Sequence, residues 1–318
     1  DTLMHRVTEQ LSVTPLDILA SAFCAALPPM QDADSVLIEI LDGQRRLPSG
    51  APRVDTLPGN LDNVLPLLAP AGALPMPERL SAIKLARQAV QAIAPAYRTL
   101  RQTFDLPAPA LGLAWLPGFA EPAGLRMHSL PSFGPSVQGM LLADTIDGQL
   151  RLAWAGAEPA GGAAPLLERT AQALRAIAGL PGEGARALHT PADFPLAGLS
   201  KPELDHIIDA APDILDIYPL SPMQEAMLVH TLAATGSLVN FEQSCVRIRG
   251  QLDHDAFRHA WTTVLERHDV LRTSFHWRGL ARPLQAVHRN VSLPFTTETW
   301  PAFDPIKIIT DCHCITQL

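Results

Sequence analysis

Cysteine is scarce in this chain: four in 318 residues, at Cys24, Cys245, Cys312 and Cys314. Apart from the last pair they are scattered, which argues against a disulfide framework and suits a reducing cytoplasm. Basic charge is short as well, with 24 Lys and Arg against 32 Asp and Glu and a formal net charge of −8. A nucleic-acid binder needs a basic stripe to offset phosphates, so that class is set aside. Long hydrophobic runs are also lacking. The longest, Val64 to Met76, is interrupted by Pro66, Pro70 and Pro75 and is too short to span a bilayer. No basic segment precedes the first apolar run, so neither a signal peptide nor a membrane anchor is expected. The opening on Asp1 suggests a piece of a longer protein. Internal repeats and low-complexity tracts are not found.

What the chain does have is apolar content, 47% against 18% charged, enough to build packed cores and to exclude bulk disorder. Its length allows two domains at roughly 150 residues each, and thirty prolines divide it into short elements. Thr14, Pro15 and Asp17 supply a cap, a first-turn proline and a first-turn acid. The helix they open buries Leu16, Leu19, Ala20, Phe23 and Leu27. Val36 to Leu41 is a predicted strand closed by the turn pair Asp42-Gly43, followed by a proline-rich loop to Pro77. A helix is expected from about Glu78 to Leu100, with Ala82, Ala86, Ala89, Val90 and Ile93 inward. Strands are expected at Leu111–Leu116, Val137–Ala143 and Gln149–Ala155, the last two joined as a hairpin by Asp147-Gly148. A helix over Pro165–Leu180 closes the region.

Pro181 to Pro195 reads as a linker. Ser200 and Glu203 form a capping box for a short helix carrying Leu204, Ile207 and Ile208, and Ser221, Pro222 and Gln224 repeat that chemistry for a helix with Met227, Leu228 and Thr231 inward. Glu242–Arg249 is a predicted strand. Asp253 then caps a helix whose stripe is Phe257, Ala260, Trp261, Val264 and Leu265, and Leu271–Trp277 is a predicted strand. Strands and helices mix without strict alternation, which favours α/β or α+β.

Two stretches of the second half are specific: Ile217 to His230 (IYPLSPMQEAMLVH) and Arg267 to Phe275 (RHDVLRTSF). In this order and at this separation they resemble the opening motifs of a nonribosomal peptide synthetase condensation domain. Thr190 to Asp205 (TPADFPLAGLSKPELD) resembles the segment joining an epimerization or condensation domain to the next condensation domain. The first half is similar to the C-terminal part of an epimerization-type relative, in eroded form. The family's EGHGRE motif would fall on Asp42 to Leu47, its VGWFT stretch on Gly59 to Pro66 and its FNYLG segment on Leu113 to Pro117. Its YGxLR segment matches Tyr97, Leu100 and Arg101, with Arg98 in place of glycine.

The resemblance implies chloramphenicol-acetyltransferase-like lobes, here incomplete, of an α/β (α+β sandwich) class. It divides the chain into a degenerate C-terminal lobe at 1–185, a linker at 186–216, the N-terminal part of a condensation domain at 217–295, and a tail at 296–318 that departs from the family. It also implies secondary-metabolite (antibiotic) biosynthesis in the cytoplasm, with carrier protein domains and adjacent synthetase domains as partners. Neither nucleic acid nor membrane is among them. No cofactor is bound directly, since carrier proteins bring phosphopantetheine arms to the site. The family's central histidine lies in HHxxxDG, and this sequence holds no HHxxxDG: the first half is expected to begin after its place and the second to stop before it.

Asp42 is the sharpest catalytic candidate, because a carboxylate there resembles the base an epimerase needs opposite its histidine. The alternative is that Asp42-Gly43 is a plain turn. His128, His189 and His206 have no motif around them and are expected on the surface or in loops. Ser221 lacks the G-x-S-x-G setting of an activated hydroxyl and reads as a cap. Arg267, His268 and Arg272 read as architecture. Cys312-His313-Cys314 has three soft ligands in a row, but zinc sites space their cysteines by about two to four residues and draw from two separated places, so no metal is expected. Trp115, Trp154, Trp261 and Trp277 read as core. By function, the expectation is a fragment of the condensation region, inactive alone for want of HHxxxDG. The alternatives are a non-catalytic carrier-protein scaffold or a degenerate coenzyme A-dependent acyltransferase of the same superfold.

Overall fold

The computed structural model describes residues 2–28, 35–42, 63–71, 73–91, 96–106, 109–116, 137–146, 148–180, 187–233, 246, 248–297 and 299. The chain divides into two units, Asp1–His189 and Thr190–Leu318, each with its own sheet and helices. Among the described residues no helix is long and apolar enough to cross a membrane.

The first unit is built on a five-stranded mixed sheet, ordered β2-β1-β3-β4-β5. Its strands are β1 (Ser35–Asp42), β2 (Asn63–Pro70), β3 (Leu111–Leu116), β4 (Gly139–Ile146) and β5 (Gln149–Gly156). β1 pairs parallel with β3 and β3 with β4, while β2 and β5 run antiparallel at the two edges. The side-chain period of two puts Ile38, Ile40, Leu65, Leu67, Leu113, Trp115, Leu141 and Ala143 into one core. Leu41, Val64, Ala114 and Met140 form a smaller cluster with Tyr97. The proline-rich segment thus conceals β2. Leu65, Leu67 and Ala69 are buried in alternation with Pro66, Leu68 and Pro70, and an edge strand tolerates prolines that a central one would reject. Gly139 is required by packing, since a Cβ there would lie 2.2 Å from the Trp154 ring.

Among the described residues five helices accompany this sheet: α1 (Thr2–Leu11), α2 (Pro15–Ala26), α3 (Met76–Gln91), α4 (Tyr97–Thr103) and α5 (Ala163–Ala178). Two depart from expectation. α1 went unread in the sequence, and of the helix expected over 78–100 the structure describes α3 up to Gln91 and α4 from Tyr97, residues 92–95 lying outside the described residues. The expected inner stripe of α3 holds only in part: Ala86 and Val90 pack against the core, and Ile93 lies outside the described residues. The buried residues of α3 are Arg79, Leu80, Ile83, Lys84 and Arg87, while Ala89 is exposed. The cations are tolerated because each is given oxygen: Arg79 donates to Pro70 O at 2.8 Å, and Lys84 Nζ to Ser12 O and to Leu188 O at 2.9 Å. Arg87 reaches Asp17 through Nε at 2.7 Å and Nη2 at 3.1 Å. Asp17, fully buried, also completes the Thr14 capping box of α2 by accepting from Thr14 N at 2.8 Å.

The second unit has a three-stranded antiparallel sheet ordered β6-β8-β7. Its elements are α6 (Lys201–Ala210), β6 (Ile214–Pro219), α7 (Pro222–Ala233), α8 (His254–Arg267), β7 (Thr273–His276) and β8 (Leu284–His288). The core joins Phe194, Ala197, Leu199, Leu204, Ile207 and Ile208 to Ile214, Ile217, Leu284 and Ala286. The segment from Phe194 to Ile208 is therefore core-forming. The expected strand over 271–277 is confined to Thr273–His276, because Asp269–Arg272 winds into a 3-10 turn. Of the strand expected over 242–249, residues 242–245 and 247 lie outside the described residues, and Val246, Ile248 and Arg249 are not in a strand. The inward stripes expected on α7 and α8 are mostly uncovered. Met227 is 42% and Trp261 48% exposed, and only Leu265 of α8 is buried. Periodicity shows that a helix has an apolar face, not that something covers it.

Arg272 fastens this unit. Its guanidinium is buried and donates to Leu265 O at 3.2 Å, Glu266 O at 3.3 Å, Arg289 O at 3.4 Å and His288 O, and it pairs with Asp269. One side chain thereby ties the last turn of α8 to the end of β8.

Three outcomes follow. Arg87→Met strands the buried Asp17 carboxylate and lowers the unfolding free energy by about 3–5 kcal/mol, whereas Arg151→Met, at the exposed pair with Asp144, costs about 0–1 kcal/mol; equal shifts in urea denaturation would contradict the assignment. Arg272→Lys loses the planar fork and costs about 2–4 kcal/mol, against at most about 0.5 kcal/mol for Arg267→Lys on the exposed end of α8. Glu203 is held below its ordinary value of 4.5 by hydrogen bonds from the Ser200 hydroxyl, from Ser200 N–H and from Ala281 N–H. The unfolded chain binds that proton more readily, so the stability is present above 4.5 and lost as pH falls through the lower folded value. Amide exchange in the first turn of α6 should accelerate across that window, and Glu203→Gln should flatten the dependence.

Candidate functional site

Asp42 closes β1, where its Cα pairs with Asn63 on one side and Trp115 on the other. Its side chain, Gly43 and the rest of the EGHGRE-like stretch lie outside the described residues. Three residues before it on the same strand, Glu39 is buried and pairs with Arg101 Nη1 at 3.2 Å. Tyr97, another member of the YGxLR-like segment, lies buried beside them. Burial pushes its phenol up, with hydrogen bonding to Arg101 opposing. The structure thus brings Tyr97 and Arg101 together around a carboxylate that sequence reading did not single out. A neutralised ion pair between a central strand and α4 positions elements; it does not by itself move a proton.

In the second unit the IYPLSPMQ segment resolves into joinery. Ser221 N–H donates to Gln224 Oε1 at 2.8 Å and Gln224 N–H to Ser221 Oγ at 3.3 Å, the expected capping box. The Gln224 side chain then pairs reciprocally with buried Gln285 of β8, at 3.0 and 3.1 Å. Gln285 Nε2 also donates to Pro219 O at 3.0 Å. Ser221 is therefore a cap, and the strand end, the helix start and β8 are locked by one pair of amides.

A denser group of titratable side chains sits on β7 and β8. Ser274 Oγ is 2.9 Å from His276 Nε2 and 2.7 Å from His288 Nε2. Beside it opens a cleft of about 250 Å³ lined by His206, Phe275, His276, Trp277 and Arg278. Burial holds the His276 imidazole below its ordinary range, aided by His288 and His206. Strand alternation puts Ser274 and His276 on one face, so two of these three residues were readable as neighbours. His288 was not, because β8 went unrecognised.

The remaining candidates sort as follows. His206 is exposed on α6 as expected, whereas His189 is buried at the end of the first unit, against expectation. His128 and the Cys312-His313-Cys314 run lie outside the described residues, among which no cluster of three metal-ligating side chains occurs. Trp115 is core and Trp154 packs against Phe23, but half-exposed Trp261 is not core; it lies edge-on to Phe257, with ring centroids 6.4 Å apart. Cys24, buried among apolar side chains, has its thiol pushed up to about 12 and is inert.

Comparison with known proteins covers the same ground. The Condensation domain family matches residues 214–304. One component of the linear gramicidin synthase of Brevibacillus parabrevis is 43% identical over 125 residues, 38% of this chain and 2% of that protein. Another component of the same synthase is 40% identical over 112 residues, 35% of this chain and 2% of that protein. Among solved structures, the epimerization domain from the third module of tyrocidine synthetase B is 18% identical, with a TM-score of 0.46 over 55% of this chain and 44% of that one. The chain spans only a small part of the length of the curated relatives it matches. Residues 214–304, which take in both the IYPLSPMQ and RHDVLRTSF segments, are the stretch similar to the Condensation domain family.

Proposed function

We propose that this chain is a portion of a nonribosomal peptide synthetase, in which a degenerate C-terminal lobe of an epimerization- or condensation-like domain precedes the N-terminal part of the next condensation domain. Both would be chloramphenicol-acetyltransferase-like lobes. In the intact assembly line the acceptor's α-amine attacks the donor thioester carbonyl; the C–N bond forms, the C–S bond breaks and the donor carrier's phosphopantetheine thiol is freed. The partners are carrier proteins and neighbouring synthetase domains, in the cytoplasm. One observation carries this reading: the family match over 214–304 spans the residues that lock β6, α7, α8 and β8 together.

The chain's own part is scaffolding. Its sequence holds no HHxxxDG, and the residues the family match brings together, Gln224, Gln285 and Arg272, are engaged with one another and with backbone carbonyls. Erosion of the EGHGRE-like segment favours a second reading for the first unit, that of a carrier-protein scaffold without chemistry of its own.

Supplied with aminoacyl donor and acceptor carrier proteins, the 318-residue chain should give no dipeptidyl thioester above the protein-free control. A chimera in which residues 217–295 replace the matching stretch of a linear gramicidin synthase condensation domain should keep dipeptide formation within about tenfold of its parent. A folded but inactive chimera would overturn the reading.

A further inference from the structure

The Ser274 group has no part in the proposed scaffolding role. A hydroxyl has one proton, so with two imidazole nitrogens within hydrogen-bonding distance it donates to one and accepts from the other, and one ring must carry its hydrogen on Nε2. The two Nε2 atoms come from different strands, His276 on β7 and His288 on β8, and converge on a single oxygen. A third imidazole, His206 from α6, lines the same cleft as His276. Among the described residues no Asp, Glu or Cys lines that cleft, and the one full charge there is Arg278, whose guanidinium lies over the Trp277 ring at 5.7 Å. Neutral nitrogen donors without carboxylates suit late first-row divalent ions and disfavour calcium or magnesium.

We propose that His276 and His288 form a binding site for a divalent transition-metal ion of the zinc, cobalt and nickel class. The ion sits between the two Nε2 atoms, where the Ser274 proton is now shared. Both rings take the Nδ1–H tautomer, each turning its Nε2 lone pair to the metal at about 2.0–2.1 Å. Ser274 Oγ is the neighbouring oxygen, and the cleft beside it admits water to the open positions. No three imidazoles, thiolates or carboxylates among the described residues stand close enough to bind together, so the site is a two-nitrogen chelate and exchanges its ion readily. His206 flanks the open side from α6.

The test uses the full chain with isotopically labelled histidine and Co²⁺ as the probe. Up to two equivalents should broaden the ring signals of His276 and His288, while His254 and His259 on exposed α8 keep theirs. Calorimetric titration with Zn²⁺ should then show at least a tenfold loss of affinity at this site in His276→Asn and in His288→Asn, with circular dichroism unchanged. Ion bound only at the Cys312-His313-Cys314 run would produce a thiolate-to-cobalt absorption band and leave the two rings untouched, and that result overturns the proposal. Unchanged rings with no band overturn it equally, and because the ring signals are read on the unsubstituted chain, a variant that fails to fold does not blur the outcome.

Discussion

A cation taken out of water must be given oxygen by the protein, and in both units that requirement fixes where the chain can go. Arg272 is the sharper case. Its fork carries five N–H donors and no acceptor, and once buried it collects the carbonyls of Leu265, Glu266, His288 and Arg289. Those carbonyls lie at the end of α8 and just past β8, where helix and strand leave backbone acceptors unpaired. The helix can therefore stop only where the guanidinium reaches it, and β8 can run only in the register that presents its last carbonyl. Lys84 and Arg87 impose the same rule on the first unit: one pins Ser12 and Leu188, which are distant in sequence, and the other holds the carboxylate that caps α2.

What could be read in the sequence follows from this. Local chemistry was legible: the cap at Thr14 and the boxes at Ser200–Glu203 and Ser221–Gln224 all form, because a cap depends on residues three apart. The β4–β5 hairpin was legible for the same reason. Elements defined by distant partners were not. β2 looked like a loop because its prolines are harmless only at an edge, and edge position is a tertiary fact. The inner face of α3 was assigned to alanines because no helical period reveals that Asp17, seventy residues earlier, neutralises Arg87. Arg272 was correctly read as architecture, yet its carbonyl partners were not nameable until β8 was seen.

The same division runs through the candidate sites. Three motif residues of the second unit, Ser221, Gln224 and Arg272, are engaged in holding elements together. Gln224 spends its amide on Gln285, Ser221 on the helix start and Arg272 on backbone oxygen. A motif can thus be highly specific for a family and still be silent about chemistry. The titratable cluster at Ser274, His276 and His288 lies outside those contacts and was assembled by strand pairing alone.

α7 and α8 show the consequence of local construction without burial. No residue of α7 is buried, and α8 buries Leu265 alone. Met223 and Val229 stand largely in solvent, and Trp261 is half-exposed. Burial of an apolar face normally supplies most of a helix's stability, and a segment of twelve to fourteen residues is marginal without it. What remains are the caps at Ser221 and Asp253, the amide lock at Gln224 and the Arg272 anchor. Each of these sits at one end of its helix. The C-terminal half of α7, which carries none of these, is accordingly less secured than the ends tied to β8 and opens before them.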